Sequence, residues 1–268
     1  MSILLEPTGK HPVLLARLHL FAVLPAFGDL LKHAEPAREI LGERRFSLRL
    51  RAGSLSSDLY FGRGQFRFLP AFHPGSQLAL HFLSYSQLNK QFTGRGVSMP
   101  IPVRGARFLG HLRTFSKLSS MLQAGLLSES GLLAYGLEER RASEVHLRLI
   151  FSVALGAFTV LVEHESFARA LFADGDDWMV QLSVDGAEMD AWISRTGGHC
   201  RWGRGTAPGP VLAKLVFDNQ STALKALSGE LDGFAAINAG RIRISGLAPL
   251  VDKLSLVFER VGAYLDRP

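Results

Sequence analysis

The sequence predicts an α+β protein of two similar domains, each a mostly antiparallel sheet covered by helices. The first observation behind this prediction is an ordered series of residues that occurs twice along the 268-residue chain. The second is that both copies show the same succession of patterns: a long apolar stretch, short alternating runs, and then helical periodicity. We therefore predict two repeats, residues 1–133 and 134–268.

The repeated series keeps its order and nearly its spacing. His33 recurs as His164, 131 residues later, and Arg107 recurs as Arg243, 136 residues later. Further pairs lie within these limits: Leu48 with Leu182, Gly53 with Gly186, Pro74 with Pro208, Leu80 with Leu215, Phe82 with Phe217, and Lys117 with Lys253. Single-residue changes in loops would produce this drift. The alternative is that two similar α+β units share local patterning without a common origin.

Each copy opens on a long apolar stretch, residues 12–31 and 147–162. Arg17, Pro25 and Gly28 interrupt the first, and the second has about 13 uncharged residues beyond Ile150, fewer than the roughly 20 that span a bilayer. The first stretch also lacks a cationic start followed by a small-residue cleavage site, so it does not resemble a signal peptide. We expect a largely buried helix in each copy; the alternative is that its apolar face contacts lipid.

The composition is that of a soluble globular protein, with 47% apolar and 20% charged residues. Cys200 is the single cysteine, which excludes an internal disulfide and gives no sign of secretion. A cytoplasmic location is therefore expected.

The two copies differ in charge. Residues 1–133 contain 16 Lys and Arg against 7 Asp and Glu, a net charge of +9, whereas residues 134–268 contain 14 against 17, a net charge of −3. The densest basic run is Arg44, Arg45, Arg49 and Arg51, which we expect on a solvated outer face of the sheet. The basic copy is suited to peripheral contact with an anionic membrane or with an acidic partner. Nucleic acid is not expected, because zinc-finger spacing, an aromatic RNA-binding box and a basic helix running into heptads are all missing.

The second copy shows its elements most clearly. The turn cluster at 174–177 ends the first helix, and Ser221 and Asp232 are suited to cap later ones. The expected elements are a helix over 145–172, strands over 179–184, 187–194, 199–203 and 213–217, a helix over 221–227, a second from Asp232 through 239–240, a strand over 241–244, and a final helix over 247–265.

The segment from Ala223 to Gly246 resembles the sterol carrier protein type-2 family. It has a short helix ending in Gly, a second helical segment, and then a basic and apolar alternating strand between two glycines, with a closing helix after it. The resemblance spans about 175–265 and, through the repeat, 44–124. Family members often carry an acidic residue after the second glycine, whereas Leu247 follows Gly246 and His111 follows Gly110 here. The first copy departs further, with Pro100 and Pro102 where the second has a helix.

The resemblance implies a sheet with helices on one face that encloses an apolar tunnel for an acyl, sterol or isoprenoid chain. The candidate lining residues of the second copy are Phe217, Leu224, Leu227, Phe234, Ile237, Ile242, Ile244, Leu254 and Phe258. Those of the first copy are Phe82, Leu88, Phe92, Met99, Ile101, Phe108, Phe115 and Met121. Taken one by one, such residues are more often plain core than cavity lining, because a sequence does not distinguish a filled interior from a hollow one.

Catalytic and metal-binding patterns give no positive signal. His199 and Cys200 lack an evident third ligand, and Gly-Arg-Gly at 62–64, 94–96 and 203–205 is better explained by turns than by phosphate binding. His33 and His164, each followed by an arginine five residues on, are interpreted as polar edges of a packing face. We expect no catalytic residue, no metal and no cofactor.

The function predicted from these observations is non-catalytic binding or transfer of a hydrophobic lipid. The alternative is an accessory scaffold for enzymes of lipid or isoprenoid-quinone metabolism, in which the two copies present a surface and exchange little free ligand.

Overall fold

The computed structural model describes residues 11–63, 65–70, 75–93, 99–105, 108–173, 177–187, 189–227 and 231–265. Its described residues form two compact units, an N-terminal unit of His11–Val153 and a C-terminal unit that begins at Ala154. The predicted division between residues 133 and 134 concerns the sequence repeats, and it stays a prediction.

The N-terminal unit opens with a helical segment, Pro12–His33. It consists of α1 (Pro12–Leu18), a π turn (His19–Val23), a 3₁₀ turn (Leu24–Ala26) and α2 (Phe27–His33). Pro25 has no N–H to donate to the carbonyl four residues back, which explains the irregular turns at this point. A short helix, α3 (Glu35–Leu41), then leads to the sheet.

The sheet of the N-terminal unit has the order β3-β2-β1-β4-β5. Its β1 and β4 are parallel, and the other neighbours are antiparallel. The elements are β1 (Arg45–Ala52), β2 (Leu55–Gly62), β3 (Gln65–Leu69), β4 (Leu78–Phe82), α4 (Tyr85–Thr93), β5 (Ile101–Arg104), α5 (Gly110–Leu127) and α6 (Glu129–Leu133).

The sheet of the C-terminal unit has the order β8-β7-β6-β9-β10, with β6 and β9 as its parallel pair. The strand order and directions therefore match those of the N-terminal sheet. Its elements are α7 (Glu139–His164), which begins in the N-terminal unit, α8 (Ser166–Leu171), β6 (Trp178–Val184), β7 (Met189–Thr196), β8 (His199–Arg204), β9 (Ala213–Phe217), α9 (Gln220–Leu227), α10 (Gly233–Asn238), β10 (Ile242–Gly246) and α11 (Ala248–Leu265). The predicted α+β class is confirmed, with two five-stranded mixed sheets.

Two local predictions are corrected, and a third lies mostly outside the described residues. The helix expected over 145–172 is two helices, because Glu165 adopts extended dihedrals and its carboxylate accepts the Ala168 N–H at 2.7 Å, which caps α8. Asn219 rather than Ser221 caps α9, accepting the Thr222 N–H at 2.9 Å. The turn predicted at 174–177 lies mostly outside the described residues, as do residues 94–98.

The strand register corrects one predicted repeat pair. Leu50 lies opposite Leu80 on the neighbouring parallel strand, and Leu182 lies opposite Leu215. Since Leu80 and Leu215 are the predicted equivalents, Leu182 corresponds to Leu50 rather than to Leu48. The two-residue shift keeps the same face of the strand inward.

Arg49 does not lie on a solvated face, contrary to the prediction. It is 6% exposed and donates two hydrogen bonds to Asp58, at 2.8 and 2.9 Å. Ser76, from the crossover between β3 and β4, donates to the same carboxylate at 2.6 Å. The crossover thus covers the outer face at this point. Arg44, Arg45 and Arg51 are exposed, as expected.

The same register position of the C-terminal sheet holds Gln181. Its amide donates to the Ala191 carbonyl at 3.1 Å and its oxygen accepts the Ala207 N–H at 2.7 Å. The crossover between β8 and β9 is therefore held by a neutral side chain bonded to backbone groups, whereas the crossover between β3 and β4 is held by an ion pair.

Each helical layer packs on its sheet through aromatic residues. Phe27 contacts Phe61, Phe66 and Phe115, with ring centroids 5.5 to 5.8 Å apart. In the C-terminal unit, Phe158 packs with Phe172, Trp178 and Phe258 at 5.1 to 6.4 Å. Both clusters join a long helix to the interior of its own sheet.

The segments Pro12–His33 and Glu139–His164 are long and apolar enough to cross a membrane by length and composition. Their most apolar windows are 56% and 78% buried within the structure, and the core helix of a soluble protein passes the same test.

Candidate functional site

The candidate lining residues of the C-terminal unit converge on one region. Phe217 and Ile242 are directly paired between β9 and β10, and α9 packs on β9 and α11. Phe217 is 2% exposed, whereas Ile237 on α10 is 40% exposed. Of the remaining described candidates, Leu227, Ile242, Leu254 and Phe258 are buried, and Leu224 and Ile244 are half-buried. The side chain of Phe234 lies outside the described part of the structure.

The candidates of the N-terminal unit are more scattered. Met99 is 78% exposed and Ile101 is also exposed, so neither lines an interior in this structure. The other members divide by burial: Phe82, Leu88 and Met121 are buried, and Phe92, Phe108 and Phe115 are half-buried. Only part of this predicted set is therefore brought together.

The covering helix α4 is fastened to α1 by polar contacts. Asn89 donates to the Pro12 carbonyl at 2.9 Å, and its side-chain oxygen lies 3.0 Å from Nδ1 of His19. The His19 ring stacks on Phe92 with centroids 4.7 Å apart. Burial lowers the pKa of His19 to about 4, against a smaller raising effect of the Asn89 hydrogen bond. His19 is therefore neutral near pH 7.

The corresponding position of α9 is apolar. Asn89 lies five residues after Ser84, which caps α4 by accepting the Gln87 N–H at 3.1 Å. Leu224 lies five residues after Asn219, which caps α9 in the same way. The helix side that carries an α1 contact in the N-terminal unit thus carries a half-buried leucine in the C-terminal unit.

Two clefts stand out among the described residues, and both are lined by charged side chains. The cleft of the N-terminal unit, about 430 Å³, is lined by Arg38, Gly42, Glu43 and Arg63. That of the C-terminal unit, about 650 Å³, is lined mainly by residues of α7, α8 and the β7–β8 turn. Neither contains a predicted lining residue, and sequence reasoning did not find them as cavities.

An apolar surface lies at the outer edge of the N-terminal sheet. We define the β4–β5 edge as Leu83, Met99, Ile101 and Val103, all exposed. Gln87 joins Leu83 to Met99, because it accepts the Leu83 N–H and donates to the Met99 carbonyl at 3.0 Å. Leu83 was missed by the sequence analysis, since its exposure, 71%, depends on where β4 ends.

The His199–Cys200 pair lacks the surroundings of a reactive or metal-binding site. Burial, followed by the charge of Glu163, raises the pKa of the Cys200 thiol to about 12, so the thiolate is disfavoured. No group of three or more His, Cys, Asp or Glu side chains suited to a metal occurs within the described residues.

The fold and site define an α+β protein with two five-stranded mixed sheets, each covered by helices, and with an apolar region beneath α9. No protein-family model matches the chain, and no curated protein matches it.

Several solved structures are similar to parts of the chain. UbiJ-SCP2, a ubiquinone synthesis protein, is 15% identical over 42% of this chain and 88% of its own, with a TM-score of 0.33. Sterol carrier protein domain 2 of Helicoverpa armigera is 13% identical over 44% of this chain and 93% of its own, also with a TM-score of 0.33. The sec-alkylsulfatase Pisa1 from Pseudomonas sp. is 14% identical over 53% of this chain and 24% of its own, with a TM-score of 0.31. Likeness at these values carries no functional conclusion.

Proposed function

We propose that the protein binds a hydrophobic lipid without catalysis, with an acyl, sterol or isoprenoid chain inserted between α9, α10, β10 and α11 of the C-terminal unit. The observation that carries this proposal is the convergence of apolar side chains there, with exposure that rises from the buried Phe217 to the exposed Ile237. Such a graded apolar wall is suited to the mouth of a ligand site.

The chemistry requires only apolar area. Burial of a methylene contributes about 0.8 kcal/mol, so roughly ten buried methylenes contribute about 8 kcal/mol before the cost of association. No polar catalytic group is needed for this affinity. The half-buried Leu224 and Ile244 would complete the wall around a chain that has entered.

Entry requires a movement, because Leu227, Ile242 and Leu254 are buried against protein in this structure. The element suited to move is α9, whose packing partners are β9 and α11. Its counterpart α4 is fastened to α1 by Asn89 and is less suited to open. We therefore assign lipid uptake to the C-terminal unit.

The test is native mass spectrometry of the purified protein together with titration by cis-parinaric acid. Ile242→Trp should reduce binding of this fluorescent fatty acid at least tenfold if the ligand occupies the proposed space. Because Ile242 is buried in the lipid-free structure, the stability of the variant is measured in parallel with that of the control. Val216→Trp is the matched control, because Val216 is half-buried on the opposite face of the adjacent strand. Clean apo protein that takes up no cis-parinaric acid would refute the proposal.

We further propose that the N-terminal unit contacts an anionic membrane through the β4–β5 edge. Its exposed apolar side chains would enter the interface, and the net charge of +9 over residues 1–133 complements anionic lipid. Met99→Glu should reduce flotation with phosphatidylglycerol vesicles, whereas Leu133→Glu, at an exposed leucine of α6, should not. Equal flotation of the two variants would contradict this contact. The cytoplasmic location stays a prediction.

The second candidate is an accessory scaffold for enzymes of lipid or isoprenoid-quinone metabolism. The burial of Leu227, Ile242 and Leu254 and the exposed β4–β5 edge favour it, because a scaffold needs packed cores and an apolar outer surface. Lipid-free protein whose β4–β5 edge variants leave vesicle binding unchanged would favour this candidate.

The matching strand order of the two sheets supports the predicted duplication, as does the shared parallel pairing of the first and fourth strands. We accordingly propose that the two units are copies of one domain and that only the C-terminal copy takes up the lipid chain.

A further inference from the structure

We propose that the cleft between α8 and the β7–β8 turn binds a phosphate or carboxylate group, with Arg169 and Arg195 as its ligands. This site is separate from the proposed lipid site, since none of the candidate chain-binding residues lines the cleft. The cleft volume of about 650 Å³ accommodates a small anion or the head group of a lipid.

The lining residues of the cleft come from two parts of the chain. Val162 to His164 and residues of α8, Arg169 among them, belong to the first part, and Arg195, Gly198 and His199 belong to the second. Two guanidinium groups that line one cleft suit an anion, because each offers paired N–H donors to two oxygen atoms.

The one acidic side chain among the cleft's lining residues is already engaged. Glu163 accepts the Cys200 N–H at 3.3 Å. Its two carboxylate oxygens also lie 3.8 Å from Nδ1 of His199 and 3.9 Å from Nε2 of His164. Glu163 therefore has partners other than Arg169 in the ligand-free cleft.

The N-terminal unit provides the comparison that points to Arg169. Arg38 follows His33 by five residues, as Arg169 follows His164. The Arg38 guanidinium is occupied, because it donates to the carbonyls of Leu31 and Lys32 at 3.2 and 3.0 Å. The side chain of Arg169 makes no hydrogen bond or ion pair within the described residues and lines the larger cleft. The same position thus serves structure in one unit and is available to a ligand in the other.

The experiment is calorimetric titration of the whole protein with inorganic phosphate and with acetate, in a chloride-free, weakly coordinating buffer at low ionic strength. Arg169→Gln should weaken phosphate binding at least tenfold, and Arg195→Gln should do so as well. Glu163→Gln should strengthen it severalfold, because a negative charge leaves the wall. Arg38→Gln is the matched control and should leave phosphate affinity unchanged.

The source of the anion is distinguished by a second arm. Arg169→Gln should weaken binding to phosphatidylglycerol vesicles if the group is a lipid head group, and should affect only inorganic phosphate if the group is free. Both results support an anion site. Absence of phosphate and vesicle binding by the wild-type cleft, or equal effects of Arg169→Gln and Arg38→Gln, would overturn it. Uptake of cis-parinaric acid by Arg169→Gln is measured in parallel. Because the lipid site is separate from the cleft, this uptake reports on the proposed lipid site independently of the result for the anion site.

Discussion

The two units fasten equivalent elements by different chemistry. In the N-terminal unit, polar groups hold the covering helix and the crossover: Asn89 joins α4 to α1, and Arg49 with Asp58 lies beneath the crossover. In the C-terminal unit, Leu224 and Gln181 occupy those two positions. Buried hydrogen bonds to specific partners restrict an element to one position, whereas apolar contacts tolerate sliding and repacking. Hydrogen bonds hold both crossovers, so the two units differ in this respect only at the covering helix, and our proposal assigns the movement that admits a ligand to α9.

The largest expected effect comes from breaking the ion pair of the N-terminal unit. Asp58→Ala leaves the buried Arg49 charge without its partner and should lower the free energy of unfolding by about 3–5 kcal/mol. Gln181→Ala should lower the free energy of unfolding by about 1–2 kcal/mol, because the Ala191 carbonyl and the Ala207 N–H lose a hydrogen-bond partner but no buried charge is left unpaired. Hydrogen exchange by mass spectrometry measures each unit separately. Equal losses in the two variants would contradict the comparison.

Acid should destabilise the N-terminal unit through His19. Its folded pKa of about 4 lies below the unfolded value of 6.5, so the unfolded chain binds more protons between these values. Stability is full above pH 6.5 and falls as the pH is lowered to 4, by at most about 3 kcal/mol. His19→Gln should flatten this dependence, and a smaller part should remain because His33, more exposed, also has a pKa lowered to about 4 by burial.

The readout of the acid experiment must be chosen with care. Trp178, Trp192 and Trp202 are the three tryptophans of the chain, and all lie in the C-terminal unit. Tryptophan fluorescence would therefore miss the predicted transition. Exchange of amide protons in 12–33 and 85–93 should accelerate at pH 4.5 in the wild type more than in His19→Gln; an unchanged ratio would refute the role of His19.

A smaller effect is expected from removal of the α4 contact. Asn89→Leu gives α4 the residue that α9 has at the corresponding position, Leu224. The Pro12 carbonyl and His19 then lose their hydrogen bonds to Asn89. Stability of the N-terminal unit should fall by about 2 kcal/mol. If α4 then exchanges amide protons as readily as α9, the hydrogen bonds rather than the apolar packing fasten this helix. An unchanged exchange rate would show the reverse.

The smallest stability effect is expected for the reciprocal change, Leu224→Asn. Leu224 is half-buried, so its replacement should cost less than about 1 kcal/mol. The same variant should nevertheless weaken binding of cis-parinaric acid severalfold, because a polar group then lies in the proposed wall. Loss of stability without loss of binding would place the lipid elsewhere.

The secondary structure of the second copy was predicted best, because its strands carry their signal within a few consecutive residues. Strand 213–217 was predicted with its observed bounds, because the alternation of apolar and polar residues is a signal contained within a few residues. The break at Glu165 was not predicted, since its cap is a single carboxylate within an otherwise helical pattern, held also by Arg260 at 2.7 Å.

The candidate site could be predicted only in part. Phe217, Ile242 and Leu254 were placed together because the resemblance orders their elements. The burial of Arg49 depends on Asp58 in the neighbouring strand and on Ser76 in a crossover, and a pattern along one strand carries no such information. Arg38 and Arg169 hold equivalent positions in the sequence, and they differ only in the folded protein, where the Arg38 guanidinium donates to the carbonyls of Leu31 and Lys32.

The division of α7 between the two units has a consequence for synthesis on the ribosome. Gly125 of α5 leaves room for Leu149, since a Cβ there would lie 2.7 Å from a Leu149 methyl, and Ser152 donates to the buried Asp29. The N-terminal unit therefore lacks part of its core until residues 139–153 have left the exit tunnel. By then the rest of the same helix has been synthesised and lies inside the tunnel. A pause after residue 133 would therefore hold an incomplete N-terminal unit at the ribosome surface, whereas a pause some tens of residues after residue 153 would expose a complete one.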